Sequence, residues 1–263
     1  MRNYKYNPAS HEAYRIMKEG DIVKARTYYF SEAPLNLKFL IEKRFSWINK
    51  HINQDGTGIE VGSGIGLSNL FVKCRNYSMT DNTGYEWLDT KHINYLESPY
   101  SDNSFDFVVC SNLIHKLADP SQLFIEMNRI LKPGGKLVIQ DVNASWGLRK
   151  VLRMTHREGY DFTRNVFTPL SSDTDKMHIN CAIPNLLFDD SAAFKCHFPF
   201  FEIEHSKYSE CFILLNSGGV VNKSKCIRLP WFLLKLVNRI DNLLIRISPM
   251  TFAMQRQIVL RKV

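Results

Sequence analysis

The sequence lacks any Cys-x-x-Cys pair, any internal repeat or low-complexity tract, and any apolar run free of charge long enough to span a bilayer. Its six cysteines (Cys74, Cys110, Cys181, Cys196, Cys211 and Cys226) stand far apart. That spacing excludes a zinc ribbon and a small disulfide framework, gives no metal site, and fits a reducing, cytoplasmic compartment. Met1 to Ser10 has no apolar core, so no secretory signal is read there. Acid is scarce in one place only. From Gly218 to Val263, Lys223, Lys225, Arg228, Lys235, Arg239, Arg246, Arg256, Arg261 and Lys262 face Asp241 alone, so this segment holds the entire net charge of +8. An enzyme of nucleic acids carries its basic patch around the active site. A terminal excess speaks against nucleic acid and turns attention to an anionic surface, such as the inner face of a membrane.

What is present begins with 263 residues, 44% of them hydrophobic and 12% aromatic, enough for one large globular domain or one with an appendage. The most informative segment is Gly58-Ile59-Glu60-Val61-Gly62-Ser63-Gly64-Ile65-Gly66. It reads as a buried strand carrying an acid, running into a glycine turn, with a helix expected from Leu67 to Cys74. Glycine permits positive φ and close backbone approach to a ligand, and a helix N-terminus behind it would offer free N–H groups. The dinucleotide fingerprint needs a glycine where Leu67 stands, and a P-loop needs a Gly-Lys-Ser/Thr that does not follow. By itself the segment also fits a glycine-rich strand–turn–helix with a buried acid and no ligand.

Residues 1–56 read as an N-terminal helical segment. Pro34 opens a helix in which Leu37, Leu40, Ile41, Phe45, Ile48 and Ile52 recur at helical spacing. From Thr57 strands and helices alternate, which implies a parallel sheet. Strands are expected at 76–80, 92–96, 105–110 and 136–140. A helix capped by Ser121 is expected to present Leu123, Phe124, Met127, Ile130 and Leu131 inward, and to end at Pro133-Gly134-Gly135. Between 143 and 200 the alternation breaks into a stretch rich in His, Asp, Phe and Tyr. It follows the carboxyl end of a core strand, so it either covers a substrate or is a structural excursion. Residues 201–263 read as two late strands (201–208 and 257–262) flanking a basic amphipathic helix over 229–247. The fold class expected is α/β, a Rossmann-like doubly wound, mostly parallel sheet with an antiparallel final strand, N-terminal helices and a helical insertion before the last strand.

Acid-x-Gly-x-Gly-x-Gly over 60–66 resembles motif I of class I S-adenosylmethionine-dependent methyltransferases. Three further stretches line up in order with the same family (type 11 methyltransferase-like). Ser98-Pro99-Tyr100-Ser101-Asp102-Asn103-Ser104-Phe105-Asp106 is similar to its "LPF-x-D-x-SFD" stretch, Ser111 to Leu117 to its post-strand segment, and Glu126 to Gly135 to "E-x-x-R-x-LKPGG". The resemblance covers residues 57–142. It implies S-adenosylmethionine as cofactor, with Glu60 toward the methionine moiety, Gly62 and Gly64 lining the turn, and Asp81 accepting from both ribose hydroxyls. The acid that reads the adenine amino group in this family falls on Asn94, a departure that leaves an uncharged contact. Tyr95 would meet the ring through its backbone N–H, and the Ser111 backbone would lie near the transferable methyl. Arg129 reads as a fold ion pair.

A sulfonium already makes its methyl electrophilic, so alignment supplies most of the acceleration. A hydroxyl acceptor gains from a general base within hydrogen-bond reach. His115 is the first candidate, either as that base or as a histidine packed under the insert; Asp141, His156 and Asp161 follow. In 229–247, Leu233, Leu236, Val237, Ile240, Leu243, Leu244 and Ile247 form one apolar face, and Lys235, Arg239, Asn242 and Arg246 form another. Such a helix lies in an anionic membrane interface, packs on its own domain, or forms a homo-oligomer interface. The C-terminal stretch, Asn216-Ser217-Gly218-Gly219-Val220 included, looks similar to sugar O-methyltransferases of bacterial surface-polysaccharide (O-antigen or capsule) biosynthesis. The acceptor this implies is a sugar hydroxyl, nucleotide-linked or lipid-linked. An RNA or other small-molecule methyltransferase, and a non-catalytic cofactor-binding protein of the same fold, are the alternatives.

Overall fold

The structure, a computed structural model, describes residues 5–8, 19–156, 158–168, 179–221 and 223–263. Residues 157 and 169–178 of the predicted insert (143–200) and most of the polar N-terminal stretch lie outside the described residues.

Six strands form one sheet: β2 (Thr57–Val61), β3 (Asn76–Thr80), β4 (Phe105–Ser111), β5 (Leu131–Val142), β7 (Phe201–Ser209) and β8 (Gln255–Lys262). Their order is β3-β2-β4-β5-β8-β7. β2 pairs parallel with β3 and with β4, and β4 pairs parallel with β5. β8 runs antiparallel between β5 and β7. The central strand β4 and the Leu137–Ile139 part of β5 carry short apolar runs, with helices covering both faces. A two-residue β1 (Lys5–Tyr6) pairs with β6 (Tyr160–Asp161) away from this sheet.

On one face, α1 (Glu19–Ser31) and α2 (Leu35–Ser46) pack Ile22, Leu37, Leu40, Ile41 and Phe45 against Phe107, Val109, Val138 and Val259. On the other, α3 (Pro120–Ile130), α5 (Ile183–Phe188) and α6 (Ser191–His197) bury Leu123, Phe124, Met127, Leu187 and Phe194 against Val108, Ile139 and Ile258. After β5 comes α4 (Trp146–Thr155). The final crossover carries α7 (Phe212–Leu215), α8 (Trp231–Ile247) and α9 (Pro249–Phe252).

Four local expectations are corrected. No α-helix follows the glycine turn: a single 3-10 turn spans Ser68–Leu70. Asn49, just after α2, takes the backbone there, its Nδ2 donating to the Phe71 carbonyl at 2.8 Å and its Oδ1 accepting from Lys73 N at 2.7 Å. A helix needs those same groups for its own ladder. Residues 92–96 form no strand, because His92 is left-handed (φ 56°) and Asn94 Oδ1 accepts from Leu96 N in an Asx turn. The cap of α3 is Asp119, accepting from Ser121 N at 2.9 Å, with Pro120 in the first turn. Pro133-Gly134-Gly135 lies inside the span of β5, with Gly134 at φ 75°.

Arg129 ties α3 to the loop before β4. Its guanidinium binds Glu126, Asp102 and the carbonyls of Tyr100 and Ser98 at 2.7–3.1 Å, and these bonds raise its pKa.

Candidate active site

The glycine turn sits where the carboxyl ends of β2, β3 and β4 meet. Gly62, Gly64 and Gly66 all have positive φ (70°, 49° and 67°). At Gly66 a Cβ would stand 2.4 Å from the Trp87 indole, so side chain and backbone both demand glycine. The turn is held from outside by its carbonyls. Trp87 Nε1 donates to Gly64 O at 2.9 Å, and Arg26 Nη1 donates to Ile65 O and Gly66 O at 2.6 and 2.9 Å. Arg26, from α1, also lies 4.7 Å above the Trp87 ring centroid.

Three of the turn's donors are committed as well. Ser63 N donates to Thr80 O, Gly64 N to Asp81 Oδ2 and Gly66 N to Ser63 O, at 2.8–3.0 Å. A pyrophosphate cradle needs those N–H groups pointing at the ligand. With them spent, and with no α-helix N-terminus behind, the turn offers closeness and a carboxylate, not an anion nest.

That carboxylate is Glu60. It is buried, and Ser68 Oγ donates to its Oε2 at 2.5 Å. Burial pushes its pKa up to about 7; the Ser68 and Ser63 hydroxyls oppose this and the Asp81 charge adds to it. A protonatable acid at the floor of a cavity is a ready partner for a cationic ligand group. The cavity has a volume of about 120 Å³ and is bounded by Glu60, the glycine turn, Ser111, Asn112 and Lys116, with Ile22, Ile41, Arg44, Phe45, Val220 and Val221 opposite. Cofactor pockets run to about 300 Å³ and more, so this cavity has to widen to seat a cofactor.

The structure therefore brings Glu60, Gly62, Gly64 and Ser111 together at one cavity. Asp81 touches the turn from the end of β3, its Oδ1 accepting from Thr83 N and Oγ1 at 3.2 and 3.0 Å. Asn94 is exposed, with Oδ1 engaged by Leu96 N. Tyr95 is buried, and desolvation, reinforced by Asp81, raises its phenol pKa to about 12. Asp81, Asn94 and Tyr95 lie outside the cavity lining.

His115 follows β4 at the carboxyl edge of the sheet. Its Nδ1 donates to Asp141 Oδ1 at 2.5 Å, and Asp141, at the end of β5, also accepts from Ile114 N and Val142 N. The pair forms an oriented imidazole–carboxylate dyad. His115 is only 2% exposed, and its carbonyl accepts from Asn180 N of the insert. The neighbouring Lys116, not His115, reaches the cavity wall. His156 and Asp161 lie elsewhere: His156 Nδ1 hydrogen-bonds Tyr6 Oη at 2.7 Å, and Asp161 pairs with Lys5 at 2.8 Å.

Three participants had no motif to announce them. Arg44 lines the cavity and forms a buried bidentate pair with Glu210 at 2.8–2.9 Å. Asn112 is left-handed (φ 52°) and accepts from Gln255 Nε2 at 3.0 Å. Arg26 clamps the turn. Each acts through a partner distant in sequence. Among the described residues no group of three or more His, Cys, Asp or Glu side chains is placed to hold a metal ion.

A mostly parallel α/β sheet with an acid-bearing glycine turn at its carboxyl edge defines a Rossmann-like fold. The comparisons make the class specific: residues 60–139 match the methyltransferase domain family. Residues 60–139 are thus a methyltransferase domain. The chain is 25% identical over 124 residues to the ubiquinone biosynthesis O-methyltransferase of Rickettsia akari, a match covering 42% of this chain and 49% of that protein. It is 35% identical over 86 residues to the ubiquinone/menaquinone biosynthesis C-methyltransferase of Haemophilus ducreyi, covering 32% and 31%. The chain thus spans half or less of the length of these curated relatives. Among solved structures, a SAM-dependent methyltransferase of Archaeoglobus fulgidus aligns over 85% of this chain and 93% of its own, at 15% identity and a TM-score of 0.46.

Proposed function

We propose that the whole protein is an S-adenosylmethionine-dependent O-methyltransferase of a small-molecule acceptor. The observation that carries the reading is the turn at 62–66, where close backbone approach and a buried acid coexist with N–H donors at Ser63, Gly64 and Gly66 that are already committed. Such a site suits a ligand whose tail bears an ammonium rather than a pyrophosphate. Glu60 would hold that ammonium, Gly62 and Gly64 would lie against the tail, and Asp81 would turn toward the ribose, exchanging its Thr83 bonds for hydroxyls. The bound cofactor supplies an electrophilic methyl group. What this chain adds is alignment, exclusion of water by the Ile22 and Val220–Val221 side, and a base. His115 is that base, its imidazole oriented by Asp141 as in other histidine–carboxylate pairs. For the acceptor, the covering of His115 by Asn180 and α5 requires the insert to move before a hydroxyl reaches Nε2.

The finer reading is a sugar hydroxyl on a nucleotide or lipid carrier of surface-polysaccharide biosynthesis, supported by the character of the C-terminal stretch. The names of the curated relatives favour a second acceptor, a ring of ubiquinone or menaquinone biosynthesis. Calorimetry with S-adenosylmethionine tests the cofactor half of the proposal; no binding by the folded protein refutes it. Release of S-adenosylhomocysteine against a panel of nucleotide sugars and phenolic quinone precursors tests the acceptor half. His115→Ala with unchanged rate and pH profile removes the base assignment while leaving the cofactor site standing.

A further inference from the structure

The C-terminal helix α8 shows three faces where its sequence suggested two. Leu234, Asp241 and Ile245 are buried against the domain. Phe232, Leu236, Ile240, Leu243 and Ile247 form a second apolar stripe, spaced at i, i+4, i+8, i+11 and i+15, that faces outward. It is strongly exposed: Phe232 68%, Leu243 57%, Ile247 70%. Met250 of α9 continues it at 51%. Beside this stripe run Lys235, Arg239 and Arg246, all exposed, and none enters an ion pair among the described residues.

The segment's one acid is withdrawn from that surface. Asp241 is buried and accepts from the backbone N–H groups of Cys211, Phe212 and Ile213 at 3.0 Å. The exposed side of α8 therefore carries cations and apolar groups with no compensating carboxylate.

A second helix extends the pattern. α4 contacts α9, and its exposed side shows Trp146 (55%), Lys150 and Met154 (80%), with Lys150 Nζ 5.3 Å from the Trp146 ring. It contains Arg149, Lys150 and Arg153 and no acid. α4 starts four residues after β5 ends, at the carboxyl edge where the cofactor cavity lies.

We propose that α8, α9 and the exposed side of α4 form a docking surface for an anionic lipid bilayer. A tryptophan, aliphatic side chains and flanking lysines and arginines are the composition of an interfacial helix, whose apolar face sinks into the headgroup boundary while its cations meet acidic lipid. α8 lies on the surface: no helix among the described residues is long and apolar enough to cross a membrane. A second copy of this chain fits less well. A two-fold contact through α8 would bring the Lys235–Arg239–Arg246 stripe of each copy near its equivalent, with no acid between them. The surface deepens the proposed function, because it sets the acceptor side of the enzyme near membrane-borne substrates, but its test does not depend on turnover.

The test is co-flotation of the full-length protein with vesicles of phosphatidylcholine alone and of phosphatidylcholine with one-third phosphatidylglycerol. Binding to the anionic vesicles, weakened by salt, is expected, with little on the neutral ones. Each cation near an anionic surface contributes about fivefold in affinity, so Lys235→Gln/Arg239→Gln/Arg246→Gln lowers it on the order of a hundredfold. Leu243→Asp/Ile247→Asp abolishes it, and in a Trp47→Phe/Trp87→Phe/Trp231→Phe background the emission of Trp146 shifts to the blue on anionic vesicles. Cofactor affinity by calorimetry stays unchanged in both variants, which separates this surface from the active site. Absence of wild-type binding, or equal binding by the variants, overturns the proposal. So does a wild-type dimer in sedimentation that Leu243→Asp/Ile247→Asp dissociates without any vesicle binding, which would give the face to a second copy.

Discussion

Replacing Glu60 by glutamine separates two roles that one carboxylate plays. Its pKa is raised from 4.5 to about 7 by burial, so the folded protein retains a proton that the unfolded chain releases. The contribution to stability is fully present below pH 4.5, falls as pH rises, and is lost above pH 7. At 1.36 kcal/mol per pKa unit the swing is about 3 kcal/mol. Glu60→Gln has no proton to lose, so in denaturant unfolding without cofactor its stability relative to wild type rises by up to about 3 kcal/mol between pH 4.5 and 8. Cofactor binding runs the other way. An ammonium against Glu60 favours the ionised form, so below pH 7 binding releases up to one proton and affinity rises with pH, levelling above 7. Calorimetry in two buffers of different ionisation heat counts that proton. In Glu60→Gln the release disappears, and affinity falls by the value of a charge-assisted hydrogen bond, about 1.5–3 kcal/mol. A wild-type protein that binds cofactor with no proton release near pH 6, or a glutamine variant with the same pH slope, refutes the reasoning.

Three further outcomes are expected. Gly66→Ala forces a Cβ to within 2.4 Å of Trp87 at a φ of 67°, and costs about 1–3 kcal/mol of stability together with cofactor affinity, read by unfolding and calorimetry. Arg44→Ala leaves Glu210 buried without its cation and costs about 3–5 kcal/mol in denaturant unfolding, whereas the double Arg44→Met/Glu210→Met variant recovers most of that loss. Asp141→Asn keeps the shape of the dyad but not its charge, so kcat falls by about 10²–10⁴ while the Kd for S-adenosylmethionine is unchanged.

The legible parts of this chain were those whose partners are close in sequence. The glycine turn, the strands expected at 76–80 and 105–110, and the apolar stripe of α3 all follow from local spacing. The expected helix at 67–74 failed for a reason no local pattern carries. Asn49, some twenty residues upstream, supplies two hydrogen bonds to Phe71 and Lys73 and competes with helix propagation. The missing strand at 92–96 had its cause inside the segment, in Asn94, whose side chain closes an Asx turn on Leu96; the matched motif had drawn attention to its ligand role instead.

The lesson of α8 is different, because its periodicity was plain and its destination was not. A helical repeat says that an apolar stripe exists, not which stripe finds a partner. Leu243 and Ile245 are two positions apart and equally apolar by type, yet one is exposed and the other buried. What decides between them is Asp241, a carboxylate on the inward face that would be prohibitive there without compensation. Three N–H groups at the start of α7 meet it, and α7 stands next to Glu210, the partner of Arg44 at the cavity. The rotation of α8 about its own axis, and with it the choice of Phe232, Leu236, Leu243 and Ile247 as the outward stripe, is thus set by one buried acid anchored beside the active-site wall. Removing that anchor with Asp241→Ala leaves three buried donors unmet, and by this reasoning frees the orientation of the helix that the proposed membrane surface requires.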